Sequence, residues 1–274
     1  VRWARDNKIR TGWGRGSAAG SILSYALRIT NLDPIRFGLM FERFLIEGRL
    51  APPDIDLDFD SRYRDRVIEY AKEKYGYDHV ANICSFFSVG ARQAVRDAAR
   101  VLGHDYGLAD TISKLMPPPV LGVSKSLEES IKMVPDLRKI YDSDPAAKEI
   151  LDAALGLEGI YRQTGVHAAG VVITPKPLTE YLPVMQKGEG QPLLTQWDMH
   201  RTEEVGVLKV DFLALRNLDV IDMAVENIEK RYGVVIDTED IPIDDTKIYE
   251  ELSKGDTMGV FQMESPGMVE MTVA

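Results

Sequence analysis

Residues 54–60 read Asp-Ile-Asp-Leu-Asp-Phe-Asp, an alternation of acidic and apolar side chains with the period of two that belongs to a β-strand. Alternate residues of a strand share a face, with same-face Cα atoms about 6–7 Å apart. Asp54, Asp56 and Asp58 would then stand together while Ile55, Leu57 and Phe59 pack the opposite face on a core. Carboxylates so close repel. The cluster is costly unless it is hydrated, protonated or neutralised by cations, and hard oxygen ligands of this kind suit Mg²⁺. An exposed sheet edge protected by acids would show the same spacing. The apolar neighbours argue that the acids lie on a formed sheet rather than on a disordered acidic tail.

About forty residues earlier the chain reads Gly12-Trp13-Gly14-Arg15-Gly16-Ser17-Ala18-Ala19-Gly20-Ser21. Such a loop, running into a helix predicted over 17–29, can cradle phosphate. Glycine lets backbone N–H groups approach an oxyanion, the helix start favours negative charge, and Ser17 can donate from its hydroxyl. The loop lacks the Gly-Lys-Ser/Thr ending of a Walker loop and the Gly-x-Gly-x-x-Gly of a dinucleotide fold, so tight packing remains an alternative reading. A third element, Val207-Leu208-Lys209-Val210-Asp211-Phe212-Leu213, is an apolar strand with one base and one acid on a common face. A self-satisfied buried salt bridge would account for it. So would a third carboxylate for two-metal phosphoryl transfer, which draws its acids from separate strands.

Working outward, the chain has 274 residues, 45% of them apolar, enough for one large or two ordinary domains. No apolar run approaches the roughly 20 residues that span a bilayer, and Val-Arg-Trp-Ala-Arg-Asp at the start has no signal-peptide core. The single cysteine, Cys84, excludes an internal disulfide and a multi-cysteine metal site. A soluble, cytoplasmic protein without membrane partners is the expectation. Net charge is −10, which by itself argues against nucleic-acid binding, although an acidic cation-collecting site makes net charge a poor guide. There is no internal repeat, and Pro117-Pro118-Pro119 marks a turn within a helical region. Periodicity predicts helices over 61–75 and 88–102, a helical stretch to about 162, strands at 171–173, 192–195 and 205–213, and helices over 216–232 and 245–253. The fold class is α/β (α+β): a mixed α/β domain interrupted by a helical insertion.

These elements, in this order and spacing, resemble the bacterial DNA polymerase III alpha subunits. The resemblance rests on GRGSAAGS at 14–21, PDIDLDF at 53–59 and KVDFLALRNL at 209–218. It continues through FERFL at 41–45, RDAARVLGHDYG at 96–107, ISKLMPP at 112–118, GVHAAGVVIT at 165–174 and GVFQMESPGM at 259–268. Trp13 departs from the small residue or proline expected there. The resemblance implies a polymerase-beta-like nucleotidyltransferase palm with a mixed sheet, formed by 1–84 and 163–214. It also implies a helical thumb inserted at 85–162 and the start of the fingers at 215–274. It further implies a longer protein with PHP, remaining fingers, clamp-binding and OB-fold regions, and an isolated chain that polymerises poorly or not at all. The activity implied is addition of dNTPs to a primer 3′-OH by two-metal-ion transfer, with pyrophosphate released. The implied ligands for the two Mg²⁺ ions are Asp54, Asp56 and Asp211, with Asp58 as support. Gly16, Ser17, Arg15, Arg43 and Lys209 would bind the nucleotide. Primer-template DNA and dNTP are the implied substrates, and a sliding clamp, a clamp loader and a proofreading subunit the implied partners of the whole protein.

Arg92, Arg96 and Arg100 recur at i, i+4 and i+8, one helical face. Such a stripe is either a solvated face paired with acids such as Asp97 or, as the resemblance implies, a sequence-independent contact to DNA phosphates. His167, before the strand at 171–173, is a candidate DNA or active-site contact. His79, His104 and His200 lack the i, i+4 spacing of a zinc helix. Two other functions fit parts of the pattern. A non-templated nucleotidyltransferase shares the loop and the acidic strand, but the long insertion with its arginines disfavours it. A noncatalytic interaction domain is opposed by the intact Asp54, Asp56 and Asp211.

Overall fold

A computed structural model of the chain describes residues 1–46, 48, 53, 55–120 and 122–274. Its framework is a six-stranded mixed sheet of β1 (Asp56–Phe59), β2 (Val80–Ser88), β3 (Tyr161–Ile173), β4 (Val184–Met185), β5 (Leu194–Thr195) and β6 (Leu208–Ala214), in the order β1-β6-β3-β2-β5-β4. β1 runs parallel to β6, β6 antiparallel to β3, β2 parallel to β5, and β5 antiparallel to β4. The fold class is mixed α/β, as the periodicity indicates.

Period two explains the layering. Leu57 and Phe59 of β1, Val210 and Phe212 of β6 and Val171 of β3 turn to one face, where they pack with Val67, Ile68 and Ala71 of the helix Arg64–Tyr75. Phe59 meets Phe212 edge-on with ring centroids 5.7 Å apart, the geometry aromatic quadrupoles favour. On the other face Ala81, Ile83 and Val172 gather around Leu178 in a smaller core. The acids of β1 and β6 fall on this second side, because their neighbours in sequence are committed to the first.

By its contacts the chain parts into two units, Val1–Ile83 with His167–Ala274, and Cys84–Val166. The boundaries fall within β2 and β3. Among the described residues five helices occupy the second unit, Ala91–Leu102, Tyr106–Leu115, Leu127–Met133, Pro135–Ser143 and Pro145–Leu157, around a core that includes Val95, Ile112, Leu127, Leu137 and Ile150. Local chemistry starts them. Asp105 and Asp144 accept N–H groups of the first turns, Ser126 and Glu129 form a reciprocal capping box, and Pro135 and Pro145 sit where a missing N–H costs nothing. Pro117-Pro118-Pro119 lie in the connection after Leu115, as expected of residues that cannot donate to a helix.

The structure departs from the periodicity in several places. The helix expected over 17–29 is a 3₁₀ turn, Gly16–Gly20, followed by a short helix, Ile22–Ala26, which Ser21 caps by accepting from Ser24 N at 3.2 Å. Gly20 is pressed on the Met40 carbonyl, where a Cβ would lie 2.6 Å from the oxygen. The helical stretch expected to 162 ends at Leu157, and the strand expected at 171–173 begins at Tyr161. β2 had no strand signature, since Val80, Ala81, Asn82 and Ile83 are all buried, the polar Asn82 included, and burial on both faces leaves no alternation to read. Val205 closes the helix Met199–Glu204, so the strand expected from 205 starts at Leu208.

Candidate active site

The parallel register of β1 and β6 sets Asp56 directly beside Asp211, and adjacent strands lie only about 4.8 Å apart. With Leu57 and Phe212 committed to the core, both carboxylates stand on the opposite face. Asp58 and Lys209 share that face by the same alternation. Lys209 Nζ lies 2.8 Å from Asp211 Oδ2 and 3.3 Å from Glu203 Oε1, so the salt bridge anticipated from the sequence does form. It occupies only half of the Asp211 carboxylate. Among the described residues Asp211 Oδ1 is buried and without a hydrogen-bond partner, as is Asp58 Oδ1. Buried oxygens left open in this way are costly unless something else meets them. Two such atoms on a carboxylate face form a donor set that suits a hard divalent cation. Asp54 lies outside the described residues. Among the described residues, no group of three or more His, Cys, Asp or Glu side chains forms a complete metal cluster.

The glycine loop is tied to the same strand. Gly12 N donates to Asp58 O at 2.9 Å and Asp60 N to Arg10 O at 3.0 Å, flanking an antiparallel bridge between Thr11 and Phe59. Gly12 leaves no room for a side chain, since a Cβ would meet Asp58 Cβ at 2.8 Å. Gly14, at φ +105°, presses on Thr30, and Asn31 N donates to Trp13 O at 2.7 Å. So anchored, the loop brings Arg15 Nε to 3.1 Å from Asp58 Oδ2 and 3.8 Å from Asp56 Oδ2. Burial pushes the Asp58 carboxyl up from its ordinary value, and the Arg15 guanidinium partly offsets this. Phe261 covers Arg15 from the other side, with the guanidinium carbon 5.6 Å from the ring centroid.

Gly16 is exposed, in left-handed backbone at φ +63°, with open space where a side chain would be. Ser17 follows it, half-buried, in the 3₁₀ turn. The turn Phe41–Arg43 packs against Gly16–Gly20. It carries Arg43, exposed and without an ion pair among the described residues. The expected residues Arg15, Gly16, Ser17, Asp56, Asp58, Lys209 and Asp211 therefore belong to one sheet face and the loop bound to its edge, with Arg43 on the adjoining turn.

In the helical unit, Arg92 and Arg100 are exposed and Arg96 half-buried on the helix Ala91–Leu102. Arg92 donates to the carbonyls of Met116 at 3.0 Å and Pro117 at 3.2 Å, groups just past the end of the helix Tyr106–Leu115. Arg96 stands 3.8 Å from Asp110 Oδ1, and Arg100 Nη2 2.9 Å from Asp97 Oδ1. Each arginine of the stripe thus has a partner inside its own unit. The partners are part-buried or buried while Arg92 and Arg100 are exposed, so these contacts hold the stripe against its own unit. In the other unit, His167 Nδ1 accepts from the backbone N–H of Ala169 at 3.2 Å and Gly170 at 2.8 Å.

Sequence reasoning missed a charged network behind the acidic strand. Arg62 grips the buried Asp60 through Nε and Nη2 and also reaches Asp222 Oδ2 at 2.7 Å, while Arg10 Nε meets Asp222 Oδ1 at 3.1 Å. Asp219 accepts both the backbone N–H and the hydroxyl of Ser61. The helix Arg216–Tyr232 is thereby fastened to the segment that follows β1. Partners some 160 residues apart leave no spacing to read. Phe261 sits in a turn that Glu264 closes by accepting from Gly259 N at 2.8 Å, and it too carried no periodic signal. A cavity of about 900 Å³ opens between these parts, lined among others by Arg10, Arg15, Asp58, Asn217, Asp222 and Phe261.

Fold and site together define the class, a mixed α/β protein with paired carboxylates on one face of its sheet and a glycine-rich loop bound to the sheet's edge strand. Residues 1–214 match the family described as the bacterial DNA polymerase III alpha NTPase domain, and residues 217–274 the bacterial DNA polymerase III alpha subunit finger domain. The chain belongs to the bacterial DNA polymerase III alpha-subunit family. It is 48% identical to the DNA polymerase III subunit alpha of Thermus aquaticus over 268 residues, 98% of this chain and 22% of that protein. It is 44% identical to that of Aquifex aeolicus, covering 99% of this chain and 25% of the relative. Identity to the Escherichia coli K12 protein is also 44%, over 99% of this chain and 23% of the relative. The chain spans about a quarter of the length of the curated relatives it matches. Among the described residues no helix is long and apolar enough to cross a membrane.

Proposed function

We propose that this chain is the nucleotidyl-transfer segment of a template-directed DNA polymerase that adds dNTPs to a primer 3′-OH and releases pyrophosphate. One observation carries the reading. Asp56 and Asp211 stand side by side in register, on a face where Asp211 Oδ1 is buried and unpartnered among the described residues, next to a glycine-serine loop bound to β1. Asp54, Asp56 and Asp211 would hold two Mg²⁺ ions. Bound there, the cations lower the pKa of the primer hydroxyl and neutralise charge on the triphosphate and the departing pyrophosphate. The protein's own part is positioning and electrostatics. Gly16 and Ser17 offer N–H and hydroxyl donors to phosphate oxygens, and Arg15, Arg43 and Lys209 supply positive charge. Lys209 also orients Asp211 through the 2.8 Å pair.

In this reading residues 1–84 and 163–214 form the palm, 85–162 the thumb and 215–274 the start of the fingers. The match of 217–274 to a finger-domain description supports the last of these. Arg92, Arg96 and Arg100 exchange their present partners for the phosphates of primer-template DNA. Clamp, clamp loader and proofreading subunit engage the whole protein, in the cytoplasm. The test is primer extension with Mg²⁺ by the intact subunit carrying this segment, with Asp54→Ala, Asp56→Ala and Asp211→Ala. Near-abolition of nucleotide addition with primer-template binding retained is expected; wild-type extension by all three variants overturns the assignment.

A further inference from the structure

The geometry points to His167 as a further functional group of the carboxylate face, donating from its Nε2–H to a phosphate oxygen held there. The inference rests on the nucleotidyl-transfer reading. β1 and β6 pair Asp56 with Asp211, and β6 and β3 pair Asp211 with Gly170. Directly opposed residues point to one side of a sheet, so these three positions form a single row across three strands. The third member has no side chain. A Cβ at Gly170 would lie 3.1 Å from His167 Nδ1 and 2.8 Å from Ile83 Cδ1, so the imidazole folds back into the place that a side chain at 170 would take.

Two backbone groups fix the ring there. The N–H of Ala169 and the N–H of Gly170 both donate to Nδ1, at 3.2 and 2.8 Å. A nitrogen that accepts carries no proton, so the neutral ring holds its hydrogen on Nε2. Among the described residues Nε2 has no hydrogen-bond partner, and the residue is half-buried. The backbone of Asp211 is one strand away from Gly170, about 5 Å. The fold thus spends Nδ1 on its own turn and leaves an oriented donor beside carboxylates that collect cations. A phosphate oxygen is the acceptor that belongs in such surroundings. It can come from the triphosphate of the incoming nucleotide or from the backbone of the primer-template.

Asparagine separates the two nitrogens. Its side-chain oxygen takes the position of Nδ1, so His167→Asn keeps the acceptor for both N–H groups and deletes the Nε2 donor, whereas His167→Gln restores an N–H near Nε2. In the intact subunit, His167→Asn is expected to melt with the wild type and to lose roughly ten- to a hundredfold in primer extension or primer-template affinity, partly regained in His167→Gln. A raised KM for dNTP or a lower single-turnover rate, at unchanged primer-template Kd, identifies the triphosphate. A raised Kd at unchanged dNTP dependence identifies the DNA backbone. If His167→Asn matches the wild type in both while Asp211→Ala is inactive, the role of His167 is overturned and the nucleotidyl-transfer reading stands. Wild-type activity of Asp211→Ala overturns both. Should the asparagine variant fail to melt cooperatively, ¹⁵N NMR of the wild-type imidazole decides. The Nε2 signal must shift on addition of inorganic triphosphate with Mg²⁺, or of primer-template, and an unmoved signal overturns the proposal.

Discussion

Asp60 is completely buried, a situation that normally drives a carboxyl toward its neutral form. Burial does push it up, but the Arg62 side-chain and backbone donors outweigh that and hold it below the ordinary carboxylate range. A carboxyl depressed in the folded state contributes stability that is complete above its unfolded pKa, about 4, and is lost as pH falls through the lower folded value. Asp60→Asn is therefore expected to destabilise by about 2–4 kcal/mol at pH 7, toward the lower end because Arg62 keeps Asp222. The deficit should shrink toward pH 3 in urea titrations; an equal loss at both pH values would contradict the linkage. At this scale the sequence was legible up to Phe59 and not beyond. Alternation correctly sets Asp56 and Asp58 opposite Leu57 and Phe59, yet Asp60, next in the same pattern, has left the strand and turns inward to Arg62. A period describes a face only while the ladder continues.

Elements with one buried face could be read, and those buried on both faces or built from small residues could not. The helix Ala91–Leu102 shows its alanines and Val95 at helical spacing and lies where the periodicity places it. In β2 the polar Asn82 lies buried among Val80, Ala81 and Ile83 and breaks any alternation, and β3 holds Gly165, Ala168 and Ala169, small residues that carry no strand signal. What settles them is pairing with strands distant in sequence. The separate core of the helical unit has a measurable consequence. Ile150 is fully buried within it, and Ile150→Ala should cost about 2–5 kcal/mol there. Hydrogen exchange should accelerate across residues 91–157 and leave β1, β6 and the helix Arg64–Tyr75 protected. Uniform loss of protection through both units would show that they unfold as one.

For the whole molecule, net charge is a poor guide to local fields, because much of the acid is already engaged by arginine and lysine in local pairs or gathered on the sheet face. Matching only about a quarter of its relatives' length, the isolated 274-residue chain is expected to bind Mg²⁺ weakly and give no detectable primer extension. Robust extension would mean that this segment alone closes a competent site. The strand order also bears on how the protein is made. β1 has its ladder partner β6 roughly 150 residues downstream, and at translation speeds of about 5–20 residues per second it waits some 8–30 s for that partner to leave the ribosome. The helical unit, whose core is finished by Ala154, has its own partners well before then. During synthesis, the nascent acidic strand therefore depends on its charge to stay out of wrong pairings, so the carboxylates of β1 also guard the unfinished sheet.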